Sequence, residues 1–159
     1  MRLYHGSLEI VNQPQIMLSD RPLDFGRGFY TTSDKLQARR WVHLRMSQQN
    51  ASVGYINIYE YTKDPAFLFH RFRTANSSWV DFVHKNRTEV NFDYDYDIVA
   101  GPVANDNVYL SFNLYESGII GKTELIRRLK VFRFTDQFLF HTERSLKTLQ
   151  FIGYKEVNL

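Results

Sequence analysis

Apolar positions gather in five short stretches along the chain: residues 53–61 (VGYINIYEY), 66–72 (AFLFHRF), 96–100 (YDIVA), 137–141 (QFLFH) and 150–157 (QFIGYKEV). Each is rich in β-branched and aromatic side chains, which suit a pleated, half-buried surface, and each reads as a strand. Helical spacing appears between them, from 34 to about 48, 78 to about 85, 107–115 and 122 to about 130, the first behind Ser33 as its cap. Within the first helix Ala38, Trp41 and Val42 are spaced for one face. Two shorter segments near the N-terminus, Leu3-Tyr4-His5-Gly6-Ser7 and the residues after Gly28, read as further strands. Helices fill only some of the gaps between strands, which predicts an α+β fold rather than a doubly wound sheet. No repeat or low-complexity linker divides the chain, so residues 1–159 are expected to form a single domain.

Composition narrows the chemistry. A chain of 159 residues is long enough to bury an ordinary core without staples. The absence of cysteine excludes disulfides, a thiolate nucleophile, iron–sulfur clusters and cysteine-ligated zinc. Basic residues outnumber acidic ones by only 20 to 17 and form no run, so charge alone names no polymer partner. There is no visible export signal and no run of about 18 apolar residues, which leads us to expect a cytoplasmic protein with no membrane partner. Thirteen Phe, ten Tyr and two Trp are the unusual feature, suited to strands and to flat heterocyclic ligands alike.

The chain has no GxGxxG, P-loop, HExxH, GxSxG or EF-hand pattern. His5, His43, His70, His84 and His141 have no metal-site spacing, the acidic run Glu89, Asp93, Asp95, Asp97 reads as a solvated turn, and no metal is expected. What remains is the pair His5-Gly6-Ser7 and Asp24-Phe25-Gly26-Arg27-Gly28-Phe29-Tyr30-Thr31-Thr32, followed by the helix carrying Trp41. A strand ending in His-Gly sets an imidazole beside a backbone that a planar ligand can approach closely. With Tyr30 offering one ring face and Trp41 another, this describes a slot for a flat, amide-bearing ring such as nicotinamide.

These residues resemble the first two signatures of the ADP-ribosyltransferase superfamily, in the His-Tyr-Glu branch that contains diphtheria toxin and the poly(ADP-ribose) polymerases. The stretches DFGRGFYTT, WVDFVHKNR, YDIVAGPVANDN and DQFLFHTE are similar, over nearly the entire chain, to a bacterial family of short stand-alone proteins assigned to that superfamily. The resemblance implies a split β-sheet sandwich with flanking helices, and NAD as a consumed substrate. It implies that His5 bonds ribose hydroxyls on the adenosine or the nicotinamide side, that Gly6 holds the carboxamide through its main chain with Ser7 assisting, and that Arg27 and Gly28 border the phosphates and the turn. Tyr30 and Trp41 would enclose the nicotinamide, and Ala38 stands where many relatives carry a serine. The relatives' third signature, a strand opening on a glutamate, is matched by DQFLF, which puts Gln137 at the glutamate position, with Asp136 and Glu143 as nearby carboxylates. An amide oxygen accepts a hydroxyl's hydrogen bond but carries no charge and cannot act as a base. The implied activity is mono-ADP-ribosyl transfer to a macromolecular acceptor, in a bacterial toxin-antitoxin or defence setting with a small neutralising antitoxin protein. The alternatives are a catalytically weak or inactive NAD- or ADP-ribose-binding module, or a nucleic-acid-modifying transferase whose phosphate rim is formed by Arg39, Arg40 and Arg45 and by Arg127, Arg128 and Lys130.

Overall fold

A computed structural model of the chain describes residues 1–16, 23–104 and 106–158, with the backbone alone for residues 106 and 107. The order of elements is β1 (Arg2–Ser7), β2 (Phe29–Thr31), α1 (Lys35–Gln49), β3 (Val53–Tyr61), β4 (Phe69–Arg71), α2 (Ser77–Thr88), β5 (Ile98–Pro102), α3 (Asp106–Glu116), α4 (Lys122–Leu129), β6 (Asp136–Phe140), a 3-10 turn (Glu143–Thr148) and β7 (Leu149–Asn158). The fold is α+β with two sheets. One is antiparallel with order β1-β3-β7, and the other has order β2-β6-β5-β4 with a parallel β4/β5 pair.

Strand alternation sorts side chains into three apolar layers. Leu3, Phe29, Tyr59, Ile98, Phe138 and Phe140 fill the space between the sheets. Ala38, Val42 and Met46 of α1 cover the outer face of the first sheet over Ile56 and Val157. Val99 and Leu139 point the other way, into a core with Trp79, Val83, Phe112 and Leu125 from α2, α3 and α4. The molecule is therefore built as α1, sheet, sheet, helices. Most of the 25 aromatic rings serve these layers; Trp79, fully buried, also donates from Nε1 to the Pro102 carbonyl at 3.1 Å.

Several local expectations are corrected. The cap of α1 is Asp34, whose carboxylate accepts from the Leu36 and Gln37 N–H groups. Ser33 instead donates from its N–H and hydroxyl to Asp136, which also accepts from Thr32 Oγ1, so the start of α1 is tied to the start of β6. The strand at 66–72 shortens to Phe69–Arg71, because the Asp64 carboxylate accepts from the Ala66 N–H and turns the chain there. β5 begins at Ile98 and α2 at Ser77, behind an Asn76 cap. The acidic run is not uniformly solvated: Asp97 is fully buried and takes a two-bond grip from Arg144 at 2.7 Å each.

Candidate functional site

The two sheets meet where β1 and β2 run side by side. Tyr4 and Thr32 exchange both backbone hydrogen bonds, at 2.8 and 2.9 Å. In an antiparallel register the next facing pair is Gly6 and Tyr30, but the strands part before it. The Tyr30 carbonyl accepts from His5 Nδ1 at 2.7 Å instead. Since Tyr4 directs its N–H and C=O toward β2, alternation directs those of Gly6 to the same side, and no described residue is bonded to them. The His5 imidazole and the Gly6 peptide edge thus lie together where β1 and β2 part.

The His5 bond fixes the tautomer. A carbonyl accepts, so Nδ1 carries the hydrogen and Nε2 is left as an acceptor. Burial pushes the imidazole below its ordinary pKa, the Tyr30 carbonyl pulls it partly back, and Arg45 pushes it further down, so the ring is neutral at pH 7. Phe29 supports the ring at a centroid distance of 4.5 Å. Gly6 is required by packing as well as by any ligand: a Cβ there would come within 2.5 Å of the Ala38 carbonyl and 3.0 Å of Val42 Cγ2. The α1 helix therefore lies against the β1 backbone at Gly6. Ser7 sits at the end of β1, where its hydroxyl accepts from the Glu9 N–H at 3.2 Å.

Tyr30 points its ring to the opposite face of its sheet from His5, against the helical core. Its hydroxyl donates to the Gly26 carbonyl at 2.6 Å and accepts from the Phe25 N–H at 3.2 Å, stapling the Gly-Arg-Gly turn. Burial, then the nearby Asp24, Tyr94 and Tyr109, raise the phenol well above its usual pKa and keep it a donor. Gly28 adopts φ +151° against β6, where a Cβ would lie 2.4 Å from both Leu139 Cδ1 and the Phe140 carbonyl. Arg27 is exposed, and its carbonyl accepts from His141 Nδ1 at 2.9 Å.

Gln137 shares the face of Tyr30 and is buried. Its Nε2 donates to Asp24 Oδ2 and to the Pro102 carbonyl, each at 3.2 Å. Of the nearby carboxylates named from sequence, Asp136 is engaged at the start of α1 and Glu143 is exposed on the 3-10 turn. Sequence reasoning passed over the carboxylate that does reach Gln137. Asp24 opens the DFGRGFY stretch, and its burial could be read only once the partner lay 113 residues away in the chain but beside it in space. Burial raises its pKa, against the pull of Arg87, the Ala104 N–H and Gln137, with Glu116 pushing it up further. Arg87, itself buried, stacks over Tyr109 at 4.2 Å.

The structure therefore joins His5, Gly6 and the Tyr30 main chain where β1 and β2 part, and the Tyr30 ring with Gln137 and Asp24 on the helical-core face. It does not bring Trp41 to Tyr30: Trp41 is 48% exposed on the flank of α1, one turn before Arg45, with no ring contact to Tyr30. Of the phosphate rim, Arg127 and Arg128 are both held by Glu124 at 2.8 Å. An open cleft of about 510 Å³ lies elsewhere, between Lys35, Arg39 and Lys155, and is lined by none of His5, Tyr30 or Gln137. Among the described residues no group of three or more His, Asp or Glu could hold a metal ion, and no helix is long and apolar enough to cross a membrane.

No curated protein and no solved structure matches the chain. A family model does, over residues 1–151, and its description is protein of unknown function (DUF3990). With nearly the whole chain matched, from the His5 strand through the Gln137 strand, the protein belongs to the DUF3990 family.

Proposed function

We propose that the protein is a mono-ADP-ribosyltransferase of the split-sheet type, which consumes NAD, releases nicotinamide and passes ADP-ribose to a macromolecular acceptor. The observation that carries this reading is the parting of β1 and β2 at Gly6, where the His5 Nε2 acceptor and a peptide edge bonded to no described residue lie together. A carboxamide donates and accepts at once, which a peptide N–H and C=O answer in kind. A ribose hydroxyl donates to His5 Nε2. The glycosidic bond then breaks with its electron pair going to the nicotinamide nitrogen, and positive charge develops on the sugar. A nucleophile of the acceptor attacks the anomeric carbon and loses its proton. The resemblance described above supports the same reading, together with a bacterial toxin or defence role opposed by a small antitoxin protein.

Purified protein with NAD is expected to bind it by calorimetry and release nicotinamide by chromatography, with His5→Ala removing release. A protein that neither binds NAD nor releases nicotinamide refutes the proposal. A second reading, an NAD-binding module without turnover, is favoured by the uncharged Gln137 amide and its commitment to Asp24 and Pro102. Binding with no nicotinamide release selects it.

A further inference from the structure

The β1-β3-β7 sheet ends on β7, whose outer side pairs with no described strand. The hydrogen-bond register settles which of its main-chain groups face that way. Tyr4 exchanges both bonds with Thr32, so its neighbours Leu3 and His5 turn theirs to Tyr59 and Asn57 of β3. The intervening β3 residues Gly54 and Ile56 then bond to Val157 and Lys155 of β7. Tyr154, Glu156 and Asn158 alternate with these and direct their N–H and C=O groups outward, where no described residue bonds to them. All three are exposed. The usable edge is short, because the register slips at Ile58/Tyr59 and Gly153 stands at φ +143°, which bends the strand before Tyr154.

The cleft of about 510 Å³ borders this edge: residues 155–158 line it, with Lys35, Leu36 and Arg39 of α1 across from them. Lys155 and Val157 lie on the sheet face that α1 covers, where Val157 packs with Ala38 and Val42. A strand laid against Tyr154–Asn158 therefore sends every second side chain into the cleft, toward the first turns of α1. What awaits those side chains is cationic and partly apolar. Lys35, Arg39 and Lys155 are exposed and form no ion pair among the described residues, and Arg39 donates from Nε to His43 Nε2 at 3.4 Å rather than to a carboxylate. Leu36 is 66% exposed beside them, and Glu156 is the single carboxylate at the cleft.

We propose that the β7 edge is a docking site for a partner protein, which adds to it a short extended segment with acidic side chains at alternate positions. Main-chain bonds to Tyr154 and Glu156 set the register of the added strand, and the cleft reads its charge. A second copy of this chain suits the edge poorly. Antiparallel self-pairing that bonds Tyr154 to Glu156 in both directions centres on Lys155, and so sets two Lys155 side chains opposite each other with both Arg39 cations on the same face. A nucleic acid answers the cations but not the edge, since phosphates only accept and the edge offers donors and acceptors in alternation. The inference stands apart from the transferase reading and holds or fails without NAD.

The test uses the full chain and two pools of capped heptapeptides, one alternating Val or Thr with Glu and the other alternating them with Lys, with binding read by fluorescence polarisation. The Glu pool is expected to bind at least about tenfold tighter than the Lys pool and to weaken as salt is raised. Lys35→Glu combined with Arg39→Glu, both on the exposed flank of α1, lowers affinity about tenfold and leaves the melting temperature in place. Glu156→Pro removes an outward N–H without touching the β3 ladder and abolishes binding, whereas Glu156→Ala loses the same carboxylate, keeps the N–H and binds at least as tightly as wild type. Methylating alternate amide nitrogens of the peptide asks the same question without altering the protein: one set of methyl groups abolishes binding and the other leaves it within about threefold. No binding of the Glu pool at about 1 mM, equal binding of the two pools, or wild-type affinity in Glu156→Pro overturns the proposal. So does tighter binding of a thymidine decamer that the α1 charge reversal removes, which makes the cleft a nucleic-acid site. A dimer in sedimentation that Glu156→Pro disperses overturns it as well, and makes the edge an interface between copies.

Discussion

Tyr30→Phe separates what the ring does from what the hydroxyl does. The substitution removes one oxygen and leaves the ring in place. That oxygen serves two main-chain groups of the turn, the Gly26 carbonyl at 2.6 Å and the Phe25 N–H at 3.2 Å. A typical hydrogen bond contributes about 1 kcal/mol net, and a buried group left unpaired costs about 1–3 kcal/mol. Because the turn is only partly buried and water can reach part of it, we take the lower half of that range for each, giving a loss of about 2–4 kcal/mol. For a chain of this size each kcal/mol is worth about 2–4 °C, so the melting temperature is expected to fall by about 4–16 °C. Circular dichroism melts measure this directly. If the ring stacks on nicotinamide, NAD affinity measured well below the melting point is retained. An unchanged melting temperature refutes the staple, whereas a normal-melting Tyr30→Phe that loses NAD affinity places the hydroxyl on the ligand instead.

Two further substitutions test the frame around the site. Gly28→Ala sets a Cβ 2.4 Å from the Phe140 carbonyl at a backbone angle that disfavours side chains, and is expected to cost about 2–4 kcal/mol in denaturant melts; a cost under about 0.5 kcal/mol would show that β2 can shift off β6. Asp97→Asn puts an NH2 where the carboxylate accepts from the Leu68 N–H, Thr142 and Arg144, and is expected to cost about 2–4 kcal/mol at pH 7. Burial works against the Asp97 charge, but the bonds from Arg144, Thr142 and Leu68 win and hold its pKa below the ordinary aspartate value. Its contribution is therefore complete above that ordinary value and is lost as pH falls through the lowered one, so wild type and Asp97→Asn should converge in stability toward strong acid. A gap that stays constant from pH 7 downward contradicts the assignment.

Local pattern carried the strands and helices, because burial on one face leaves its period in the residues themselves. The exceptions have physical causes. Ser33 and Asp34 are both good caps, and only the distant Asp136 decides that Ser33 is drawn off and Asp34 turns to the helix. Asp97 looks like its acidic neighbours until Arg144 arrives from 47 residues away. Trp41 fits the spacing of Ala38 and Val42, yet at roughly 100° per residue it falls well off the line through Ala38, Val42 and Met46, and it emerges on the flank. Of the proposed site, His5 and Gly6 stand in one short motif and Tyr30 in a second, and each motif singles its residues out in the sequence. Asp24 and Arg87 were not, since each looks like an ordinary charged residue until the fold encloses it.

The clamp of Thr32 and Ser33 on Asp136 has a thermodynamic consequence. It fastens the helix bordering the His5 edge to the strand carrying Gln137 through the single carboxylate of Asp136. The entropy of bringing the parts of a site together is thus met during folding rather than at the moment of binding. On the proposed reading, NAD arriving between them meets a frame already set, and its binding energy is free to act on its own geometry.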